Sequence, residues 1–349
     1  MKTNARCLFV SVALGATVSA CASAKTAVRR DSAWLPAWRA IHVLNYNTDA
    51  ELDQLAQDIP GLATAGINVL VLEVDYNFAF ASHPELRHGS TPVTKDGAQR
   101  FAEVCRRQGI RLIPEFQALG HQSWEGETFP LLTVHPEFDL TPGAFPGNKG
   151  IYCREWDVLN PEVTRIALEL MDEIVDAFGA DAIHVGMDEV FLLGSEHSPS
   201  TKGKDPAQLY AKAVNDLHAH LVGKRHLTML MWADRLFDGK GHDFGEWESS
   251  LNGTAAALDM IPKDIVLCPW HYEKKAGYPS IPLFLDKGFR VLPASWRDVG
   301  AAQALIDFSR TQANTRLLGH LFTTWDTKKG ELLAHPPFVE GMKVLRPAP

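Results

Sequence analysis

Short apolar segments alternate with segments of helical periodicity from about residue 39 to residue 326. Residues 68–74 are almost continuously apolar, which is typical of a strand buried on both faces of a parallel sheet. The same pattern predicts strands at 40–44, 68–74, 110–113, 182–185, 227–232, 265–268, 289–292 and 317–322. Eight strands separated by crossovers predict an α/β protein with a (β/α)8 TIM barrel, formed as a single domain over residues 36–345.

The predicted helices between these strands begin at recognisable caps. Thr48 and Glu51 have the spacing of a capping box and predict the helix after the first strand. Asn160-Pro161 pairs a preferred N-cap residue with proline at the first helical position and predicts another helix. Helical periodicity is weak between the later strands, and after Glu331 we expect only a short helix.

Polar and aromatic side chains follow most of the predicted strands. The clusters are Asp75-Tyr76-Asn77, Glu115-Phe116-Gln117, Asp188-Glu189, Trp232-Ala233-Asp234, Trp270-His271-Tyr272, Trp296-Arg297-Asp298 and Trp325-Asp326. Because barrel proteins form their sites at the carboxyl ends of the strands, we expect these side chains to surround one pocket. Core packing alone does not explain tryptophan after four successive strands, so we predict a pocket with aromatic walls.

The composition is that of a globular protein with a large core. The 349-residue chain is 46% hydrophobic and 22% charged, with a formal net charge of -8 and no long basic run. Nucleic acid is therefore not an expected partner, whereas the nine tryptophans suit stacking against sugar rings. The sequence has no HExxH motif, P-loop or dinucleotide-binding glycine fingerprint, so we expect neither a metal nor an organic cofactor.

Residues 1–24 have the pattern of a signal peptide. A positively charged start precedes an apolar segment, 8–18, that is too short to span a bilayer. Residues 18–21 resemble a bacterial lipobox, with cleavage before Cys21 and membrane attachment through a lipid on that cysteine. Secretory cleavage near Ala24 is the alternative. In both cases we expect export, either as a periplasmic or outer-membrane lipoprotein of a bacterium or as a secreted protein.

Three cysteines remain in the body of the chain, at Cys105, Cys153 and Cys268. Their spacing has no CxxC element, so it does not indicate a metal site. We expect them to be buried as small apolar residues, with one disulfide as the alternative in an exported protein.

Two adjacent carboxylates, Asp188 and Glu189, follow a short apolar strand. Like charges this close do not ionise independently, and such pairs are typical of general acid chemistry. A helix N-terminus, where acidic residues complement the helix dipole, is the alternative. The flanking residues favour the chemical interpretation, because His184, Gly186 and Asp188 alternate along the strand and share one of its faces.

The segment from His184 to Glu189 resembles the signature His-x-Gly-Gly-Asp-Glu of glycoside hydrolase family 20, the β-N-acetylhexosaminidases, and departs from it at Met187. Further segments stand in the family's order and spacing: Pro84-Glu85-Leu86, Pro92-Val93-Thr94, Gly109-Ile110-Arg111, Pro114-Glu115-Phe116 and Gly120-His121. The resemblance extends from Arg39 to Asp326. It implies that the barrel is a single catalytic domain.

The resemblance implies an exo-acting glycosidase that releases terminal N-acetylhexosamine, either GlcNAc or GalNAc, from amino-sugar glycans with retention. In this family the substrate's own 2-acetamido oxygen attacks the anomeric carbon, and water then opens the cyclic intermediate. Glu189 is implied to be the general acid and afterwards the base that activates water. Asp188 is implied to orient the acetamido N–H and to stabilise developing positive charge.

The resemblance also implies residues that bind the substrate or position the acid. Arg39 resembles an arginine that holds sugar hydroxyls, with a surface role as the alternative. Asp75, His121 and His184 resemble residues that hold the acid in place, although structural hydrogen bonds would equally explain the two histidines. The implied pocket residues are Trp232, Trp270, Tyr272, Trp296, Trp325 and Asp326.

Two positions depart from the family's pattern. The tyrosine that follows the seventh-strand tryptophan and bonds the acetamido carbonyl is replaced by Arg297, and Tyr272 is the candidate to take its place. The glutamate that binds the C4 and C6 hydroxyls is replaced by Thr327, which lies next to Asp326.

Three alternatives remain open. The basic residues Arg297, Lys328 and Lys329 form either a solvated rim or a site for an anionic amino sugar. The departures from the family's pattern also fit a non-catalytic glycan-binding lipoprotein on a degenerate barrel. A double-displacement hydrolase needs a nucleophile about 5 Å from Glu189, for which Glu115 is the candidate.

Overall fold

The computed structural model describes residues 36–312 and 314–345. The predicted signal peptide, with its alternative cleavage positions at Cys21 and Ala24, therefore lies outside the described residues. The main sheet contains the eight strands that the hydrophobic pattern predicted. They are β1 (Trp38–Val43), β2 (Val69–Glu73), β3 (Arg111–Ala118), β4 (Ala182–Gly186), β5 (Thr228–Trp232), β6 (Val266–Cys268), β7 (in two segments, Arg290–Val291 and Ala294–Ser295) and β8 (Gly319–Thr323).

The strands follow one another around the sheet in chain order, and all of the pairs are parallel. β8 pairs with β1, and β7 completes the ring because its first segment pairs with β6 and its second with β8. Pro293 lies between the two segments, where it has no N–H to donate to the ladder. The predicted (β/α)8 barrel is confirmed.

Helices connect the strands. The α-helices are α1 (Asp49–Ala65), α2 (Lys95–Arg107), α3 (Pro130–Val134), α4 (Pro161–Phe178), α5 (Pro206–Leu221), α6 (Ser280–Asp286), α7 (Val299–Thr311) and α8 (Pro336–Leu345). The β5–β6 crossover instead contains a 3-10 helix, Thr254–Asp259. α8 extends over ten residues, longer than the sequence indicated, because Phe338, Met342 and Leu345 form a buried apolar stripe. Within the described ranges, none of the helices has the length and hydropathy needed to cross a bilayer.

The predicted caps form at the helix starts. Thr48 Oγ1 accepts the backbone N–H of Glu51 at 3.2 Å in the first turn of α1. Asn160 Oδ1 accepts the backbone N–H of Glu162 at 3.0 Å in the first turn of α4. Each side chain satisfies an N–H group that the helix itself leaves without a partner, so the local sequence defines where these helices begin.

The core has two layers, one on each face of the sheet. The layer inside the barrel is formed by Ala40, Val69, Val71, Ile113, Leu230, Val266 and Leu321, among others. The larger layer joins the outward strand faces to the helices and includes Leu52, Phe101 and Ile174. Small and branched side chains leave little space inside the barrel, so a ligand site is confined to its ends.

Long connections follow β3, β4 and β5 at the carboxyl end of the barrel. The β3–α4 connection contains a short hairpin in which Ser123–Trp124 pairs with Glu127–Thr128. The β5 connection begins with a 3-10 turn, Asp234–Leu236. These connections supply side chains to the site described next.

Candidate active site

Asp188 and Glu189 lie immediately after β4, at the carboxyl end of the barrel. The chain turns sharply there, with φ values of 63° at Gly186, 75° at Met187 and 52° at Glu189. A Cβ at Gly186 would overlap the Gln117 side chain, so this position requires glycine. Left-handed conformations at non-glycine residues are strained and cluster at functional sites. The helix N-terminus alternative is wrong, because α5 begins only after a long loop.

His121 lies between the two acids. Its Nε2 is 3.3 Å from Asp188 Oδ2 and 3.0 Å from Glu189 Oε2. Burial is the largest single influence and disfavours a charged imidazole, but the neighbouring Asp188 and Glu189 carboxylates together outweigh it, so the pKa of His121 is raised well above its usual range. A protonated His121 therefore attracts two side chains that would otherwise repel each other, and its predicted role in holding the acid in place stays a prediction.

Asp234, two residues beyond β5, anchors the loop that contains the acids. Its Oδ2 accepts the backbone N–H of Glu189 at 2.9 Å, and its Oδ1 accepts the indole N–H of Trp270 at 3.3 Å. Arg235 Nε donates to the same Oδ2 at 2.6 Å. Burial raises the pKa of Asp234 to about 6, against the opposing effect of Arg235. One carboxyl group thus joins the acid loop to the aromatic residues after β6.

Tyr152 lies beside His121, with ring centroids 5.7 Å apart. Burial, together with the negative charge of Glu189, raises the pKa of the Tyr152 hydroxyl well above its usual range. Sequence reasoning proposed neither Tyr152 nor Asp234 as a site residue. Asp234 stands in one of the strand-end clusters, which is a usable signal. Tyr152 lies in the long β3–α4 connection, where no periodicity marks its position.

Four aromatic side chains that follow β6, β7 and β8 cluster at the carboxyl end of the barrel. Trp270, which shares Asp234 with the acid loop, stacks on Tyr272 with ring centroids 4.8 Å apart. Tyr272 meets Trp296 edge-on at 5.3 Å, and its hydroxyl accepts the Trp325 indole N–H at 2.7 Å. The barrel therefore brings these four predicted pocket residues together.

Asp326 lies at the rim of this pocket. It accepts the Trp296 indole N–H at 2.9 Å, and Arg297 Nη1 is 3.6 Å from its other oxygen. The Arg297 guanidinium stacks on the Trp296 ring at 4.1 Å and its side chain is 66% exposed. Lys329 pairs with Glu51. Nearby acids offset Arg297 and Lys329, and Lys328 is exposed, so the structure favours a solvated rim over a dedicated anion site.

Trp232 and His184 lie beneath the pocket rather than in its wall. Both are fully buried, and both contact Glu115. Trp232 Nε1 donates to Glu115 Oε1 at 3.0 Å, and His184 Nδ1 lies 3.1 Å from the same oxygen. A side chain without exposed surface does not touch a sugar, so the prediction that Trp232 lines the pocket is wrong. His184, which was expected to hold the acid in place, contacts Glu115 instead. The structural alternative for His184 is confirmed.

Glu115 is the centre of this buried cluster. Its second oxygen, Oε2, lies 2.8 Å from His42 Nε2. Burial alone would favour the neutral acid, but His184 and His42 outweigh burial and hold the pKa of Glu115 well below its usual range. Because Glu115 is enclosed and bonded through both oxygens, it is not accessible as a nucleophile. The double-displacement alternative at this residue is therefore wrong.

Asp75 follows β2 with a φ of 47°, and its Oδ1 accepts the backbone N–H of Gln117 at 2.7 Å. Burial raises the pKa of Asp75 to about 7, against the opposing hydrogen bond from Gln117. Burial and the neighbouring Asp75 also raise the pKa of Glu73 well above its usual range. Asp75 directly secures the end of β3, and its predicted effect on the acid stays a prediction.

Two groups of described residues place possible metal-ligand atoms within 4.8 Å of one another. They are His42, Glu73 and Glu115 in the barrel interior, and His121, Asp188 and Glu189 at its mouth. Contacts between histidine and carboxylate account for both groups. We therefore assign neither group to a metal.

Arg39 lies at the opposite end of the barrel. It is the second residue of β1, and its guanidinium donates to the carbonyl oxygens of Gly66 at 2.6 Å and Pro36 at 3.0 Å. Gly66 precedes β2 and Pro36 precedes β1, so both carbonyl groups lie at the amino ends of the barrel strands. The prediction that Arg39 holds sugar hydroxyls is wrong, because the start of a barrel strand faces away from the site.

Cys105, Cys153 and Cys268 are free and buried, so the disulfide alternative is wrong. Cys153 lies next to the acids, where its Sγ accepts the backbone N–H of His121 at 3.3 Å. Burial raises the pKa of the Cys153 thiol to about 12, and the thiol therefore stays protonated.

Comparison with known proteins agrees with this geometry. The profile described as "Glycosyl hydrolase family 20, catalytic domain" matches residues 57–299. The chain is 23% identical over 270 residues to a β-hexosaminidase of Emericella nidulans, a match that covers 69% of this chain and 40% of that protein. It is 22% identical over 267 residues to hexosaminidase D of Bos taurus, covering 74% of this chain and 69% of the relative.

The solved structure of Flavobacterium johnsoniae chitobiase has the same fold. It superposes with a TM-score of 0.63 at 17% identity, over 88% of this chain and 48% of that chain. The chain thus spans less than half the length of the Emericella β-hexosaminidase and of this chitobiase. The family profile nevertheless covers more than half of the chain and includes both acids after β4. The chain belongs to glycosyl hydrolase family 20 and contains its catalytic domain.

Proposed function

We propose that the protein is an exo-acting β-N-acetylhexosaminidase that releases terminal N-acetylhexosamine from glycans with retention of configuration. The observation that supports this most directly is the position of His121 between Asp188 and Glu189, together with Asp234, which joins the loop of these acids to Trp270. The names of similar proteins, a β-hexosaminidase and a chitobiase, support the same chemistry.

In the first step, Glu189 donates its proton to the glycosidic oxygen while the bond from that oxygen to C1 breaks. The substrate's acetamido oxygen forms the new bond to C1, and the leaving group departs as an alcohol. Asp188 accepts a hydrogen bond from the acetamido N–H and stabilises the positive charge that develops on the ring. In the second step, Glu189 takes a proton from water, whose oxygen attacks C1 from the face that the leaving group vacated. The bond from C1 to the acetamido oxygen breaks at the same time, which restores the acetamido group.

His121 keeps this pair ready for both steps. With Asp188 ionised and Glu189 protonated, the charge on His121 balances Asp188. After proton transfer, Glu189 becomes a carboxylate within 3.0 Å of the same imidazolium. The histidine thus stabilises the charge that proton transfer leaves on the enzyme.

Tyr272 takes the place of the tyrosine that Arg297 replaces. Its hydroxyl oxygen accepts the Trp325 indole N–H at 2.7 Å, which leaves the hydroxyl proton to donate. A donor among Trp270, Trp296 and Trp325 suits an acetamido carbonyl, whose methyl group the rings would enclose.

Replacing Glu189 with Gln tests the proposal. We expect kcat on an aryl 2-acetamido-β-glycoside to fall about 10²- to 10⁴-fold, because the proton donor is lost. The exposed Glu196→Gln is the matched control. Full activity of the Glu189 variant would refute the proposed role.

A panel of aryl 2-acetamido glycosides, with and without a 6-sulfate, tests the alternatives. We expect turnover of neutral GlcNAc or GalNAc glycosides and inhibition by a thiazoline mimic of the cyclic intermediate. Binding by calorimetry without turnover of any glycoside would instead indicate the non-catalytic glycan-binding protein. Turnover of the sulfated glycoside alone would indicate the variant for an anionic amino sugar.

We also propose that the protein is exported, with a lipid on Cys21. The positive start, the short apolar segment and the lipobox-like residues 18–21 support this assignment. In a bacterial host we expect labelled fatty acid to appear on the membrane-associated protein and to disappear in Cys21→Ser. Export without labelling would indicate secretory cleavage near Ala24.

A further inference from the structure

Two buried carboxyl groups bind the backbone of the acid loop, residues 187–192. Asp234 Oδ2 accepts the backbone N–H of Glu189 at 2.9 Å. Glu155, which lies in the β3–α4 connection, accepts through Oε1 the backbone N–H groups of residues 191 and 192 at 2.5 Å and 2.7 Å. Hydrogen bonds to an ionised acceptor are roughly twice as strong as neutral ones. The position of the acid loop therefore depends on the charge of these two carboxyl groups.

One arginine, Arg235, interacts with both carboxyl groups and with the acid loop. It is fully buried, and its Nε donates to Asp234 Oδ2 at 2.6 Å. Its guanidinium carbon lies 4.7 Å from the centroid of the Phe191 ring. Its positive charge also lowers the pKa of Glu155. Among the described residues, Arg235 Nη1 and Glu155 Oε2 are both buried without a hydrogen-bond partner, so their opposite charges act on each other across the interior.

The connection after β5 fixes the orientation of Arg235. Its Nη2 donates to the carbonyl oxygens of Glu246, of Trp247 at 3.0 Å and of Ser249 at 2.7 Å. Its own carbonyl oxygen accepts the Thr254 hydroxyl at 2.8 Å. Because the guanidinium is a planar fork with fixed donor directions, these bonds hold Nε towards Asp234.

The charge of Arg235 opposes the effect of burial on both carboxyl groups. Burial raises the pKa of Asp234 to about 6 and that of Glu155 to about 7, although Arg235 lowers both. The other titratable groups that interact with them are Asp188, Glu189, His121 and Tyr210. An opposite charge at this range lowers a carboxyl pKa by about 1–3, so without Arg235 both groups would bind protons at higher pH.

We infer that Arg235 is a positioning residue for the acid: it keeps Asp234 and Glu155 ionised, so that their oxygens hold Glu189 in the geometry that proton transfer requires. This inference rests on the proposed function. Arg235 has no exposed surface, so it does not touch a substrate and acts only through its neighbours. A small displacement of a catalytic group is costly, because a shift of about 1 Å can lower the rate about 100-fold.

Replacing Arg235 with Met removes the charge and tests the inference through the pH dependence of kcat on an aryl 2-acetamido-β-glycoside. We expect a loss of about tenfold at acidic pH that disappears as the pH rises, because the two carboxyl groups then ionise without the arginine. Arg235→Lys keeps the charge and should restore the wild-type pH profile, although a single ammonium group does not replace the fork of donors. If the Met variant does not fold, Arg235→Gln gives the same comparison with one amide donor retained.

Arg154→Met is the matched control. The Arg154 side chain is 9% exposed, pairs with Asp139 and donates to Asn148 Oδ1 at 2.6 Å, so its loss also breaks a buried ion pair. We expect this variant to be less stable in urea but to keep the wild-type pH profile. A loss of kcat by the same factor at every pH in Arg235→Met would overturn the inference, since it would show structural support alone. A pH profile of Arg235→Lys that matches the Met variant would overturn it as well.

Amide hydrogen exchange keeps this inference separate from the proposed function. We expect peptides covering residues 187–192 to exchange about tenfold faster in Arg235→Met than in Arg154→Met, because local opening of the acid loop becomes easier. If the wild-type protein cleaves no glycoside, the hydrolase proposal fails. Faster exchange would still support the positioning of the loop by Arg235, and equal exchange in the two variants would overturn it.

Discussion

The barrel contains two clusters of histidine and carboxylate that differ mainly in exposure. In the inner cluster, Glu115 and its partners His42 and His184 have no exposed surface. In the outer cluster, the Asp188 and Glu189 side chains keep 10% and 12% of their surface exposed on either side of His121. The residue types are the same, so composition does not separate structure from chemistry. What separates the structural cluster from the chemical one is access to a ligand, together with which carboxylate oxygens remain without a partner.

The inner cluster shows how a barrel tolerates charge in its interior. An isolated buried carboxylate is costly, but Glu115 accepts contacts from two histidines and the Trp232 indole. Each oxygen is therefore satisfied. The outer cluster lacks this saturation, because Asp188 Oδ1 has no hydrogen-bond partner among the described residues. This oxygen is therefore a buried acceptor that the fold leaves without a partner.

The largest effect is expected from Glu115→Gln. Removing one partner of a buried pair leaves charged or polar groups uncompensated, so we expect the free energy of unfolding to fall by about 3–5 kcal/mol. Urea denaturation measures this change, with Glu189→Gln as the comparison from the outer cluster. A stable Glu115 variant with selective loss of activity would break the distinction between the clusters.

Replacing His121 with Gln should lower kcat about 100-fold, because a neutral amide does not balance the charge of both acids. It should also change how stability depends on pH. Since the pKa of His121 is raised in the folded protein, its contribution is fully present below the unfolded pKa and is lost as pH rises through the folded pKa. Denaturation at a series of pH values should therefore show a weaker decline above neutral pH in the variant than in the wild type.

Asp75→Asn should stabilise the protein at alkaline pH. The folded pKa of Asp75 is about 7, above the ordinary value, so the wild type loses stability as pH rises from about 4 through 7. We expect the variant to gain about 1–2 kcal/mol at pH 8 and nothing at pH 4. Asn keeps an acceptor for the Gln117 N–H. A gain that is equal at both pH values would contradict the raised pKa.

The smallest effect is expected from Arg297→Ala. Its side chain is 66% exposed, and Nη1 lies 3.6 Å from Asp326. Because an ion pair this exposed to solvent is weak, it contributes little to holding the rim in place. We expect kcat/KM for neutral glycosides to change less than about threefold. A much larger loss for a 6-sulfated glycoside would show that the rim recognises anions after all.

The sequence predicted the barrel because parallel strands buried on both faces have continuous apolar segments, and local caps mark helix starts such as Thr48. It also predicted the acids and four aromatic residues of the pocket, since strand ends converge on one face of a barrel. The sequence did not predict how far along its strand a side chain lies, and therefore whether that side chain reaches the carboxyl end of the barrel. Trp232, the last residue of β5, and His184, within β4, proved to be enclosed. Arg39, at the start of β1, faces the other end of the barrel.

Residues from long connections were harder to predict. Tyr152 and Trp247, whose ring centroids are 4.8 Å apart, come from loops whose paths depend on long-range contacts, such as the bonds from Arg235 to the carbonyl oxygens of Trp247 and Ser249. Periodicity describes regular elements, and it has no information on where an irregular loop returns to the barrel.

Met187 shows how this chain secures the turn that presents its acids. It stands where the family signature has a second glycine and adopts a φ of 75°, which costs a non-glycine residue about 1–2 kcal/mol. Its side chain is fully enclosed and its carbonyl oxygen accepts the Tyr210 hydroxyl at 2.7 Å. Truncating an enclosed methionine costs about 2–5 kcal/mol, which exceeds the relief of strain. Replacing Met187 with glycine would therefore weaken the turn, because side-chain anchorage at this position stabilises the chain more than backbone freedom would.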